Sequence, residues 1–101
     1  MPRPTVLEKT YQRFNRKYFG SNLPDLSLVD LRWDTIKDMG YEYGGEIVLN
    51  VRYKHRESIW KLTLLHEMVH LSLPKTRSDH GKEFQRGMLR LAKLGAFSRI
   101  W

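Results

Sequence analysis

No cysteine occurs among the 101 residues. A disulfide framework and every Cys-based zinc finger are thereby excluded, and any metal has to be held by His, Asp or Glu. Long apolar runs are missing too. None approaches the roughly 20 residues that span a bilayer, and the opening MPRPTVLEKTYQRF has no apolar stretch of the secretory kind. The expectation is a soluble, intracellular protein of the cytoplasm. Acidic residues are scarce, 11 against 18 Lys+Arg, which leaves a formal charge of +7. Such an excess favours polyanions such as nucleic acid, and it equally serves plain solubility.

What is present is a globular composition: 41% hydrophobic residues, 29% charged, and twelve aromatics from 3 Trp, 5 Tyr and 4 Phe. The length suits one domain over residues 1–101 with a modest core and leaves little room for a second. No repeat or low-complexity tract interrupts it.

Thr5-Val-Leu-Glu8 has capping-box spacing, and Leu7, Tyr11, Phe14 and Tyr18 then line one face, which predicts a first helix ending at Gly20. SNLPD, residues 21–25, is a turn. LSLVDLRW, Leu26 to Trp33, reads as a strand with Val29, Leu31 and Trp33 on one face. Residues 34–45 predict a short strand or irregular loop closing in a turn at Gly44-Gly45. EIVLNV, Glu46 to Val51, is a compact β-branched run and a second clear strand. From about Glu57 the pattern is helical up to Pro74, with Ser58 as N-cap. PKTRSDHG is a loop, and Ser78 or Asp79 caps a third helix from about His80 to Leu94, stopped by Gly95 and buried along Phe84, Met88 and Leu91. Helix, strands, helix, loop, helix is an α+β order.

Three of the four histidines fall between positions 66 and 80. His66 and His70 stand four apart on a helix, so both imidazoles leave one face a turn apart and converge on one ion. Glu67 follows His66, which makes H-E-x-x-H, where the histidines bind zinc and the glutamate is general base. A catalytic zinc takes three protein ligands and keeps one position for water. His80 is the first candidate for the third, because a neutral imidazole suits zinc; Glu83, further along the same helix, competes. His55, in RYKHRES, reads as a lone surface histidine. No residue identifies itself as oxyanion stabiliser, with Tyr53, His55 and Arg77 as candidates only.

LLHEMVHL followed by HGKEF, together with YQRFNRKYFGSNLPD and GGEIVLN, resembles the SprT-like family, which includes the Spartan-type DNA-protein crosslink proteases. H-E-x-x-H with a downstream H-G-x-x-F is far more specific than either piece. The resemblance covers nearly the whole chain. It implies a zincin-like fold with a small sheet packed on the active-site helix, and one catalytic Zn2+ on His66, His70 and His80, with Glu67 as acid/base. It also implies an extended peptide bound by strand addition along the strand before that helix, Glu46, Ile47, Val48, Leu49 and Asn50. The family's C-terminal Cys-rich ribbon is not in this sequence, nor is the long tail of partner-binding motifs of eukaryotic members.

DNA affinity would then rest on the third helix, where Lys82, Arg86, Arg90 and Lys93 recur at helical spacing, opposite the apolar face. A solvated helix face explains the same stripe. Arg13, Arg16 and Lys17 add charge, and Tyr41, Tyr43, Tyr53 and the terminal FSRIW offer rings for base stacking or core packing. The functional expectation is a zinc endopeptidase, monomeric, acting on protein substrates that include DNA-bound or crosslinked ones. Two alternatives stay open: a general gluzincin-like peptidase with Glu83 as third ligand, latent if Phe97, Ile100 and Trp101 cover the cleft, and a non-catalytic DNA-binding module with a structural zinc.

Overall fold

The first helix, α1 (Val6–Tyr18), begins where the capping box predicts. The Glu8 amide donates to Thr5 Oγ1 at 3.1 Å and the Thr5 amide donates to Glu8 Oε1 at 2.8 Å, so two otherwise orphaned donors are satisfied reciprocally. Leu7, Tyr11, Phe14 and Tyr18 are buried. The turn that follows is pinned by side chains of the helix itself: Asn15 exchanges two hydrogen bonds with the backbone of Leu23, each 3.1 Å, and the Tyr11 hydroxyl donates to the Pro24 carbonyl at 2.6 Å. The computed structural model describes residues 3–74 and 80–98.

Three strands form one sheet: β1 (Asp30–Asp34), β2 (Gly40–Tyr43) and β3 (Glu46–Asn50), in the order β1-β3-β2. β1 runs parallel to β3, with Asp30 opposite Glu46 and Asp34 opposite Asn50. β2 and β3 form an antiparallel hairpin whose two-residue turn holds Gly44 and Gly45 at φ +60° and +85°, backbone that side-chain-bearing residues rarely adopt.

The expected strand over Leu26–Trp33 is shorter at its start. Leu26–Leu28 is a single 3-10 turn, and pairing begins at Asp30, whose amide donates to the Gly45 carbonyl at 3.0 Å. β3 starts only at Glu46, so residues before Asp30 have nothing to pair with. Val29, Leu31 and Trp33 do turn to the core together. At the other end the Asn50 side chain accepts from the Arg52 amide and turns the chain out of the sheet, so Val51 belongs to a 3-10 turn rather than to β3.

A second correction concerns Glu46–Asn50 as the site of strand addition. β3 is the middle strand, hydrogen-bonded on both sides, and has no free edge to offer. The outer edges belong to β1 and β2.

The second helix, α2 (Glu57–Ser72), crosses the inner face of the sheet. Its N-cap position is Arg56, whose carbonyl accepts from the Trp60 amide at 3.1 Å, so Ser58 sits within the first turn and is not the cap. The helix is apolar on several faces because it is enclosed by the sheet, α1 and the last helix: Trp60, Leu64, Leu65, Met68 and Val69 are all buried. Trp60 meets Trp33 of β1 edge-on, centroids 5.6 Å apart.

The third helix, α3 (Lys82–Lys93), starts two residues later than expected, with Gly81 at its N-cap; Ser78 and Asp79 lie outside the described residues. It ends as predicted at Gly95, whose amide donates to Ala92, while the Ala96 amide donates to Leu91, satisfying carbonyls of the last turn. Phe84 and Leu91 are buried and Met88 packs against the core. α3 lies tight on α2 at Gly87, where a Cβ would stand 2.7 Å from Val69 Cγ1. Among the described residues three α-helices and a three-stranded sheet share one core, an α+β fold. Among the described residues no helix is long and apolar enough to cross a membrane.

Candidate metal centre

His66 and His70 lie on the side of α2 that faces the beginning of α3, and His80 stands in the turn just before α3. Helical spacing puts the first two rings 4.9 Å apart, centroid to centroid; His80 comes to 5.2 Å from each. One ring nitrogen from each of the three can be chosen so that all lie within 4.8 Å of one another. His66 Nε2 and His80 Nε2 are 3.2 Å apart. Two nitrogens bound to one tetrahedral zinc at about 2.0–2.1 Å would stand roughly 3.3 Å apart, so this pair already has ligand spacing. Three imidazoles without a thiolate are the donor set of an open catalytic site. Glu83, the competing third ligand, is not among the residues brought together here.

Phe84 forms the floor of this cluster. Its ring stacks on His70 with centroids 4.4 Å apart, and it lies 4.8 Å from both His66 and His80. α3 thus delivers this ring from its first turn, just after the chain has placed His80. Burial, reinforced by the neighbouring His70 and His80, pulls the His66 pKa down to about 4, which keeps that imidazole neutral.

Glu67 points away from the solvent side of α2 and is 6% exposed. Its pKa is pushed up to about 7, first by burial and then by the charges of Glu42 and Asp38. Those two residues come from β2 and from the loop before it. Gly40 faces α2 closely, with a would-be Cβ 2.8 Å from Thr63 Cγ2, and two residues along the strand Glu42 shares that face. The loop is held by Asn50, whose Nδ2 donates to the Ile36 and Asp38 carbonyls at 3.0 Å each. A carboxyl that titrates near neutrality, on the residue next to His66, can accept a proton from water and return it.

Sequence reasoning named His66, Glu67, His70 and His80; the three histidines converge, and Glu67 is buried on the same helix, directly after His66. It missed Glu42, Asp38 and Asn50, and it read Phe84 only as core. Glu42 becomes visible in the alternation of GYEY once Gly40 is known to face the helix; Asn50 carries no signal, because its acceptors lie 12 and 14 residues upstream. The helix stripe Lys82, Arg86, Arg90 and Lys93 is exposed throughout, but Arg90 is tied into the fold: it donates to the Tyr18 carbonyl at 2.6 Å and lies over the Phe19 ring. His55 is exposed, Phe97 packs against the core, and Arg77, Ile100 and Trp101 lie outside the described residues.

The model of the SprT-like family matches residues 7–99. Neither the curated proteins nor the solved structures provide a match.

Proposed function

Because the chain belongs to the SprT-like family, we propose that it is a zinc-dependent endopeptidase, with residues 1–101 as one catalytic domain. The observation that carries this reading is the convergence of three imidazoles, the first of them followed in the chain by a buried glutamate whose pKa is near 7. His66, His70 and His80 are the residues that would hold the ion. Bound there, zinc would supply Lewis-acid activation of a water molecule and of the scissile carbonyl.

The remaining chemistry belongs to the chain. Glu67 takes the proton of the attacking water and hands it to the departing amine, a task for which a pKa close to working pH is the best compromise between proton affinity and proton release. β2 is the outer strand on the Glu67 side, and its unpaired edge is where an extended substrate would add as a further strand. That assignment replaces β3.

For substrates we propose proteins bound or crosslinked to DNA, supported by the net charge of +7 and the exposed basic residues of α3. The test compares the native chain with Glu67→Gln for metal content and for cleavage of a DNA-bound protein, with and without single-stranded DNA. Zinc in both and DNA-stimulated cleavage by the native chain alone is the expected result. Stoichiometric zinc without any cleavage would overturn the peptidase reading, and absence of stoichiometric metal would overturn the site.

A further inference from the structure

Away from the three histidines, a groove of about 750 Å³ opens between the C-terminal ends of α1 and α2 and the middle of α3. Its floor is aliphatic and aromatic: Phe19 and Leu23 are almost fully buried, and Leu71 and Leu73 are half-buried. One wall carries Arg86 and Arg90, a helical turn apart and both exposed, and among the described residues no carboxylate lines the groove. Their situations differ. Arg90 is held in place by its bond to the Tyr18 carbonyl and by the Phe19 ring 5.3 Å from its guanidinium carbon. The Arg86 side chain has no ion pair or hydrogen bond among the described residues.

We propose that this groove docks a short peptide segment of a protein partner in which aliphatic side chains alternate with carboxylates. The aliphatic groups would cover Leu23, Leu71 and Leu73, and the carboxylates would pair with Arg86 and with the N–H groups that Arg90 has left. Each half of the surface calls for its counterpart. An apolar floor gains by excluding water, and a guanidinium beside it, weakly hydrated and forked, pairs best with a planar carboxylate. The volume falls within the roughly 300–1,000 Å³ of sites that enclose small ligands, which is enough for a few residues of an extended segment.

A nucleic-acid strand matches the charge but not the floor. Bases need open aromatic faces, and the one aromatic ring in the groove among the described residues, Phe19, is 6% exposed and already faces the Arg90 guanidinium. The docking site goes beyond the peptidase reading and does not depend on it: Leu71 follows His70, yet neither the three histidines nor Glu67 lines the groove.

The test uses the full chain, 15N-labelled and carrying Glu67→Gln so that a peptide probe is not consumed. The probe is a terminally blocked Asp-Leu-Asp-Leu-Asp, compared with Asn-Leu-Asn-Leu-Asn and with a thymidine decanucleotide. The expected result is saturable shifts of the Leu23, Leu71, Leu73 and Gly87 amides with the acidic peptide. Arg86→Glu or Arg86→Ala, both with an otherwise native spectrum, should weaken it about tenfold or more, while Lys82→Glu outside the groove leaves it unchanged. No saturable shift at those amides overturns the proposal. So does equal binding of the Asn peptide, equal weakening by Lys82→Glu, or displacement of those amides by the decanucleotide in place of the peptide.

Discussion

The Phe84 ring lies parallel to the His70 imidazole within 25°, the closest of its three contacts with the histidine cluster. Phe84 comes from α3 and His70 from α2, so the stack joins the helix that carries His66 and His70 to the helix that follows His80. It also shuts water off from one side of the cluster. Groups that orient metal ligands are typically worth about 10–100-fold in metal affinity. Phe84→Leu, which keeps a buried apolar side chain, should therefore bind zinc about tenfold more weakly in a chelator competition. The metal-free variant should lose only about 1–2 kcal/mol in stability. Equal zinc affinity of the two proteins would reduce Phe84 to a packing residue.

His80 and Glu83 are three positions apart, yet only His80 joins His66 and His70. His80→Ala should lower zinc affinity by orders of magnitude, and Glu83→Ala should leave it within about twofold, because a third imidazole completes the tetrahedral donor set. The reverse outcome in a zinc titration would hand the third position to Glu83.

Glu67 and His66 tilt the stability of the metal-free chain in opposite directions. With its pKa raised from 4.5 to about 7, Glu67 contributes stability that is fully present below about 4.5 and lost as pH rises through 7. His66, lowered from 6.5 to about 4, contributes stability that is present above 6.5 and lost as pH falls through 4. Between pH 4.5 and 6.5 the two slopes offset each other. Metal-free Glu67→Gln keeps only the histidine slope, so its urea midpoint should climb across that window while that of the native chain stays nearly level. The full Glu67 amplitude is about 3 kcal/mol at 1.36 kcal/mol per pH unit. Parallel curves for the two proteins would refute the assignment.

Gly87→Ala puts two effects in competition. Alanine improves the helix by about 1 kcal/mol, but its Cβ would stand 2.7 Å from Val69 Cγ1, on a side chain that is fully buried and β-branched. Overpacking of that kind costs about 1–3 kcal/mol. The net expectation is a loss of about 1 kcal/mol in denaturant unfolding, accompanied by weaker zinc binding, since Val69 adjoins His70.

The sequence carried the presence of all three helices and the ends of two, because caps and 3.6-residue periodicity are local: Thr5 with Glu8 opens α1, and Gly95 closes α3, while the starts of α2 and α3 fall at Arg56 and Gly81 and not at the expected caps. It carried the histidines for the same reason, since two of them are one turn apart. Strand order was beyond its reach. Nothing in EIVLNV says that β1 pairs with one side of it and β2 with the other, so the free edge was assigned to the wrong strand. The surroundings of Glu67 were hidden likewise: Glu42 and Asp38 reach it only after the hairpin folds over α2. Arg90 looked like one more solvated cation until α1 proved to end beside it.

The order β1-β3-β2 also sets the sequence of events in which the sheet is cheapest to assemble. β2 and β3 are joined by a two-residue turn, so their pairing closes almost no loop, whereas β1 meets β3 only after the 34–40 segment and the hairpin have been brought round. A transition state that already contains the hairpin, with β1 docking late against Trp60, follows from that geometry. φ-values should accordingly be high at Ile47 and low at Leu31.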